Sequence, residues 1–180
     1  MDPEAAFPEL AWIDDGELRA AVARAWELAV ADNDVTDLTA VPWFPPAQAA
    51  LDLDDEFLVE HVRDVAAIAD DMAAALADRG RGGVSRDLVV AGALVHDVGK
   101  LYEFDGHERT PIGDLLGHPY VGICVTQRAG LPVELAHVVL SHTDRTTVEP
   151  AILEAAIVRR ADEVAATAIR ARALADLRDA

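Results

Sequence analysis

Cysteine is almost absent: Cys124 is the only one in 180 residues. That excludes an internal disulfide and a Cys-x-x-Cys zinc site, and it fits a reducing compartment. Long apolar runs are also missing. The purest, LVVAGALV at 88–95, has eight residues, far short of the roughly 20 that cross a bilayer. The start, Met1-Asp2-Pro3-Glu4, has neither the basic residues nor the apolar stretch of a secretory signal. A cytoplasmic protein without a membrane segment is expected. Aromatic residues make up only 5% of the chain, while alanine, leucine and valine dominate, a mixture that favours helices over sheets. Lysine is as scarce as cysteine, with Lys100 alone among the 15 basic residues. Against them stand 33 acidic residues, for a net charge of −18. Such a field repels long nucleic acids and anionic membranes. It fits a salt-rich cytoplasm, where screening weakens self-repulsion. A high-GC genome that replaces lysine with arginine would leave a similar lysine-poor pattern.

What is present is enough apolar residue, 52%, for one core in a chain of about one domain's length. Residues 15–31 carry Leu18, Val22, Ala25 and Leu28 at helical spacing. Residues 32–53, punctuated by Pro42, Pro45 and Pro46, read as a long connection. Its Trp43 and Phe44 are candidates for a flap over a site, a core contact or a homodimer face. The chain therefore divides into 1–53, an N-terminal helix and connection packed on the core, and 54–180, the core itself. Asp54 is the expected N-cap of a helix to about residue 79, ended by Gly80-Arg81-Gly82-Gly83. Ser85 caps a helix over 86–98 that is apolar nearly all round and so should be central. Residues 99–113 read as a polar loop. Helices follow at 116–129, at 132–141 after Pro132, and at 150–176 from Pro150. No strand pair is predicted, and the expected fold is an all-α, single-domain helical bundle.

Chemistry is sought where polar groups replace apolar ones. His61 falls on the stripe Leu58, Val62, Val65, Ala69 of its helix, where a lone histidine is more often a hydrogen-bonded core residue. Asp162 lies on the stripe Val158, Ala161, Ala165, Ile169. A buried carboxylate there requires a cation, a hydrogen-bond network or a metal, because burial without one costs several kcal/mol. His96-Asp97 ends the most apolar helix. Adjacent helical side chains point about 100° apart and can grasp an ion in the groove between them. Asp97 has two oxygens and is able to bridge two ions. His118, before Pro119, and His142, after Val138-Val139-Leu140, sit at element ends, where a site has rigid support. His107 reads as a loop residue and His137 as a helix-surface or supporting group.

The order His61, His96-Asp97, Asp162 resembles the ligand set of the HD-domain metal-dependent phosphohydrolases, over roughly residues 55–170. The resemblance implies a helical bundle with a metal site between its central helices. One divalent ion would be held by His61, His96, Asp97 and Asp162, with Asp97 bridging to a second ion on His118 and His142. The motif His96-Asp97-Val98-Gly99-Lys100 is similar to the family's extended form. Thr110 to His118 with Ser141-His142 resembles the HD module of 3′–5′ exoribonucleases, although Thr143 stands where those enzymes often have a second histidine. Length, order and the N-terminal helix are similar to archaeal cyclic-phosphate phosphodiesterases.

The expectation is hydrolysis of a small phosphate ester, a nucleotide or cyclic phosphate, by a metal-activated water. Asp97 and Lys100 are the expected catalytic residues. Lys100, Arg145, Thr110 and Tyr102 are the expected substrate contacts, with Glu103 nearby in the same loop. Arg128 and Arg159-Arg160 read more readily as surface ion pairs. Histidine and carboxylate donors suit Mn²⁺ or Fe²⁺ and also admit Zn²⁺ or Co²⁺. Oxygen-dependent cleavage at an iron pair and non-catalytic nucleotide binding are the alternative readings.

Overall fold

The computed structural model describes residues 2–179. In chain order it has α1 (Pro3–Ala6), a 3-10 turn (Pro8–Trp12), α2 (Gly16–Asp32), a second 3-10 turn (Leu38–Ala40), α3 (Pro45–Leu51), α4 (Leu58–Ala77) and α5 (Arg86–Val95). Then come α6 (Lys100–Glu103), β1 (Phe104–Asp105), β2 (Glu108–Arg109), α7 (Pro111–Leu115), α8 (His118–Arg128), α9 (Val133–Ser141), α10 (Leu153–Arg170) and a last 3-10 turn (Leu177–Asp179). The fold is all-α, as the composition implies. Among the described residues no helix is long and apolar enough to cross a membrane.

Helix α5 is the axis, packed on α2, α4, α9 and α10. Residues 89–95 are all buried, because a segment apolar on every side is stable only where neighbours cover every side. Ser85 caps it as expected, its Oγ accepting from the Leu88 N–H at 3.4 Å. The N-terminal helix is tied to this axis: buried Trp26 of α2 donates its indole N–H to the Leu94 carbonyl at 2.9 Å. Phe7 packs against the same indole at 4.8 Å between ring centres.

Several boundaries differ from the sequence reading, each for a tertiary reason. Asp54 does not cap α4, which begins at Leu58 after an uncapped Phe57. The preceding residues are held extended along the connection. The Trp43 N–H donates to the Glu56 carbonyl at 3.0 Å and the Leu58 N–H to the Val41 carbonyl at 2.9 Å. The connection itself is built. Pro45 and Pro46 open α3, where a missing N–H costs nothing. The buried Gln48 amide accepts from the Phe44 N–H and donates to the Leu53 and Glu56 carbonyls.

Residues 99–113 are not a plain loop: they contain α6, the start of α7 and a hairpin pairing Phe104 with Arg109 and Asp105 with Glu108. Two-residue strands are too short to leave a periodic signal. Helix α10 starts at Leu153 and ends at Arg170, shorter than the expected 150–176. The Ala151 N–H donates to His137 Nε2 at 2.9 Å and pins the approach to α10 against α9.

Candidate metal centre

The six residues singled out by pattern converge from three helices and from the turns that follow two others. His61 comes from the middle of α4 and Asp162 from the facing side of α10. His96 and Asp97 occupy the turn after α5, His118 opens α8, and His142 follows α9. All are buried except Asp162, whose side chain is 19% exposed. Gly99 makes the convergence sterically feasible. A Cβ there would lie 2.2 Å from the His118 carbonyl oxygen, so only glycine lets the motif turn press against the start of α8.

The donors form two groups, His61–His96–Asp162 and Asp97–His118–His142, the candidate ligand atoms in each lying within 4.8 Å of one another. Asp97 stands between the groups with one oxygen toward each. Its Oδ2 is 3.5 Å from His61 Nε2 and 3.3 Å from His96 Nε2. Its Oδ1 is 3.4 Å from His118 Nε2 and 3.6 Å from His142 Nε2.

Three of the imidazoles are oriented from behind. His96 Nδ1 donates to the Ala93 carbonyl, His142 Nδ1 to the Val139 carbonyl and His118 Nδ1 to Glu103 Oε2, each at 2.7 Å. The proton is thereby on Nδ1, and each Nε2 presents a lone pair to the interior.

Two consequences test whether a cation fits. The Nε2 atoms of His118 and His142 are 3.2 Å apart, a repulsive contact for two lone pairs unless something positive lies between them. Nitrogens bound to one ion at about 2.1 Å stand about 3.0–3.5 Å apart. Secondly, Nε2 of His61 and of His96 are buried with no hydrogen-bond partner, a costly state for polar atoms. The donor set fits divalent cations.

Electrostatics keep Asp97, Asp162, His61 and His118 in binding form. Burial opposes charge on Asp97, but the Lys100 ammonium, 2.7 Å from Oδ2, and His96 hold its carboxyl well below the ordinary range. Burial likewise opposes charge on Asp162, and the His61 imidazole, its Nε2 3.1 Å from Oδ1, leads the groups that hold its pKa down. Burial lowers the pKa of His61, and it pushes His118 down to about 4. His96 is shifted upward although burial works against its charge, because Asp97 lies beside it. Glu103, fully buried, falls to about 2: burial resists this, and the hydrogen bond from His118 and the charge of Arg145 outweigh it.

Asp97, His118, His142 and Asp162 open onto a cavity of about 160 Å³ lined also by Trp43, Phe44, Lys100, Arg145 and Arg170. A larger groove of about 640 Å³ beside α2 is lined by no histidine and carries none of this chemistry.

The profile of the HD domain family matches residues 58–167. The chain belongs to the HD domain family. The match includes all six candidate ligands of this HD domain. Dihydroneopterin 2′,3′-cyclic phosphate phosphodiesterase of Methanocaldococcus jannaschii is 33% identical over 111 residues, 59% of this chain and 45% of that protein. The chain thus spans less than half the length of this relative. No solved structure matches the chain.

Not every residue expected at the site is there. Tyr102 donates its hydroxyl to Asp32 Oδ2 at 2.6 Å, and Thr110 caps α7 while donating to the Tyr102 carbonyl at 2.5 Å. Neither lines the cavity. Both belong to the folding of the segment after the HD motif, Tyr102 in α6 and Thr110 at the cap of α7. Arg128 pairs with Asp32, and Arg159 and Arg160 with surface glutamates. Two contributors were underweighted in the sequence. Glu103 gave no burial signal because α6 is a single turn. Arg170 follows Asp162 by eight residues, a spacing that keeps both on one helix face, and that was its available signal.

Proposed function

We propose that this HD domain is a metal-dependent phosphohydrolase acting on small phosphate esters. The observation that carries the reading is the Asp97 carboxylate set between two histidine-containing donor groups, with three of the imidazoles locked by acceptors behind them. Two divalent ions fit these donors, Mn²⁺ or Fe²⁺ by preference, with Zn²⁺ or Co²⁺ compatible. When bound, they would supply polarised phosphoryl oxygens and a water acidified toward neutrality.

The chain's own groups do the rest. Asp97 fixes the spacing of the two groups. Lys100 Nζ, 2.7 Å from Asp97 and over the rings of Trp43 and Phe44 at 5.6 and 5.7 Å, is held to stabilise charge growing on phosphoryl oxygens. Arg145, bonded to Glu103 at 2.7 Å and 5.4 Å from the Phe44 ring, offers a second donor at the mouth. Phosphate, rather than dioxygen, is the group an ammonium beside the ligands serves.

The acidic exterior and a cavity smaller than drug-sized ligand sites favour a compact substrate, only part of which is enclosed. A 2′,3′-cyclic phosphate, named in the relative's description, is the first substrate class to test. The test is metal content and phosphate-ester hydrolysis in the wild type, Asp97→Ala and His118→Ala. Near two ions per chain, about one in His118→Ala and almost none in Asp97→Ala, with hydrolysis lost in Asp97→Ala, is expected. Unchanged hydrolysis in a folded Asp97→Ala chain would sink the assignment.

A further inference from the structure

Three cations face the cavity: Lys100, Arg145 and Arg170. Two already have carboxylate partners, Asp97 for Lys100 and Glu103 for Arg145. Arg170 has none: among the described residues no carboxylate lies within ion-pair distance of it. Of the cations lining this cavity it is the one whose charge no carboxylate already matches, among the described residues. A helix-dipole role at the end of α10 accounts for its charge but not for its placement. Asp162, Ala166 and Arg170 form one face of α10, and all three line the cavity.

The guanidinium is also positioned. It lies 5.4 Å from the centre of the Trp43 ring, a contact that orients an arginine while leaving its N–H donors available. Trp43 is buried, lines the same cavity and has an indole Nε1–H with no acceptor. A buried indole N–H ordinarily has one, so the wall carrying Arg170 has a spare donor as well as a spare charge.

We propose that Arg170 is a substrate-anchoring residue, held by Trp43. It takes a second anionic group on the substrate, separate from the phosphoryl group that is cleaved. The preferred ligands are then phosphate esters of small molecules that carry a further phosphate. This rests on the phosphohydrolase reading for the site but makes its own demand: affinity must depend on a charge that the chemistry does not consume. Lys100 and Arg145, already neutralised by Asp97 and Glu103, do not meet that demand.

The experiment is calorimetric binding of adenosine 2′-phosphate and adenosine 2′,5′-bisphosphate to Mn²⁺-loaded wild type, Arg170→Gln, Arg170→Lys and Trp43→Phe. Hydrolysis of adenosine 2′,3′-cyclic phosphate, with and without a 5′-phosphate, is followed in parallel. The wild type is expected to favour the bisphosphate by about tenfold, about 1.4 kcal/mol. Arg170→Gln should bring that ratio to about one, Arg170→Lys should restore part of it, and Trp43→Phe should retain most of it. In turnover, the 5′-phosphate should lower KM in the wild type and lose that effect in Arg170→Gln, with kcat little affected by it. An equal ratio in wild type and Arg170→Gln, or no preference in the wild type, overturns the proposal. Preference without any hydrolysis would leave Arg170 as the anchor and refute the phosphohydrolase reading; hydrolysis without preference would do the reverse.

Discussion

Glu103 touches one of the six candidate ligands and should therefore separate the two proposed ions. Its Oε2 accepts from His118 Nδ1 at 2.7 Å, while Oε1 accepts from Arg145 at 2.7 Å and Arg109 at 2.9 Å. Glutamine in its place keeps one acceptor oxygen, loses the charge and turns an N–H₂ toward one set of donors. Removing a carboxylate behind a metal-binding histidine costs about 10–100-fold in metal affinity, or about 1.4–2.8 kcal/mol. That loss should fall on the ion held by Asp97, His118 and His142. The ion held by His61, His96 and Asp162 should keep its affinity within about twofold.

The buried network around Glu103 should also lose about 2–3 kcal/mol of stability, since charged hydrogen bonds contribute about that much. In a chain of this size that is about 4–12 °C in Tm. The assay is stepwise Mn²⁺ titration of the metal-free Glu103→Gln protein by calorimetry, with spin-resonance detection of free Mn²⁺, beside a thermal melt. Equal weakening of both ions, or unchanged affinity for both in a folded variant, would refute the division of the site into two groups.

Gly99→Ala should cost about 1–3 kcal/mol and lower metal occupancy, because its Cβ meets the His118 carbonyl at 2.2 Å; a chemical denaturation curve and metal analysis read both. Tyr102→Phe should lose about 1 kcal/mol of stability with turnover retained, since the hydroxyl serves Asp32 and not the cavity; a KM increase above about threefold would return Tyr102 to the site. Asp32 is held below its ordinary pKa by hydrogen bonds from Arg128 and Tyr102. Its stabilisation is therefore complete above about pH 4, the unfolded value, and is lost as pH falls through the lower folded value. Tyr102→Phe should flatten that acid limb in a pH series of melts. Saturating the site with Mn²⁺ at about 100 times Kd should add about 2.7 kcal/mol, about 5–11 °C in Tm, and a chelator should reverse it; no shift would argue that the native state does not bind the ion.

By itself the sequence determined the fold class and the candidate donors. Alanine and leucine content and 3.6-residue periodicity specify helices, and the eight-residue apolar run at 88–95 marks the helix on which α2, α4, α9 and α10 pack. His61 and Asp162 were legible because a polar residue on an apolar stripe needs a reason. His96-Asp97 was legible because it ends the most buried helix. These are local signals, readable from neighbours along the chain.

What only the tertiary structure decided was everything set by contacts between distant segments. Helix α4 starts at Leu58 rather than after Asp54 because the Trp43 N–H donates to the Glu56 carbonyl and the Leu58 N–H to the Val41 carbonyl. Tyr102 and Thr110, which follow the motif in sequence, are taken up instead by Asp32 and by the cap of α7. Trp43 and Arg170 reach the cavity, and Glu103 reaches the back of His118, from three separate segments. A side chain's partners depend on how helices dock, and helix docking is fixed by the summed packing of the core, a property no short window of sequence contains.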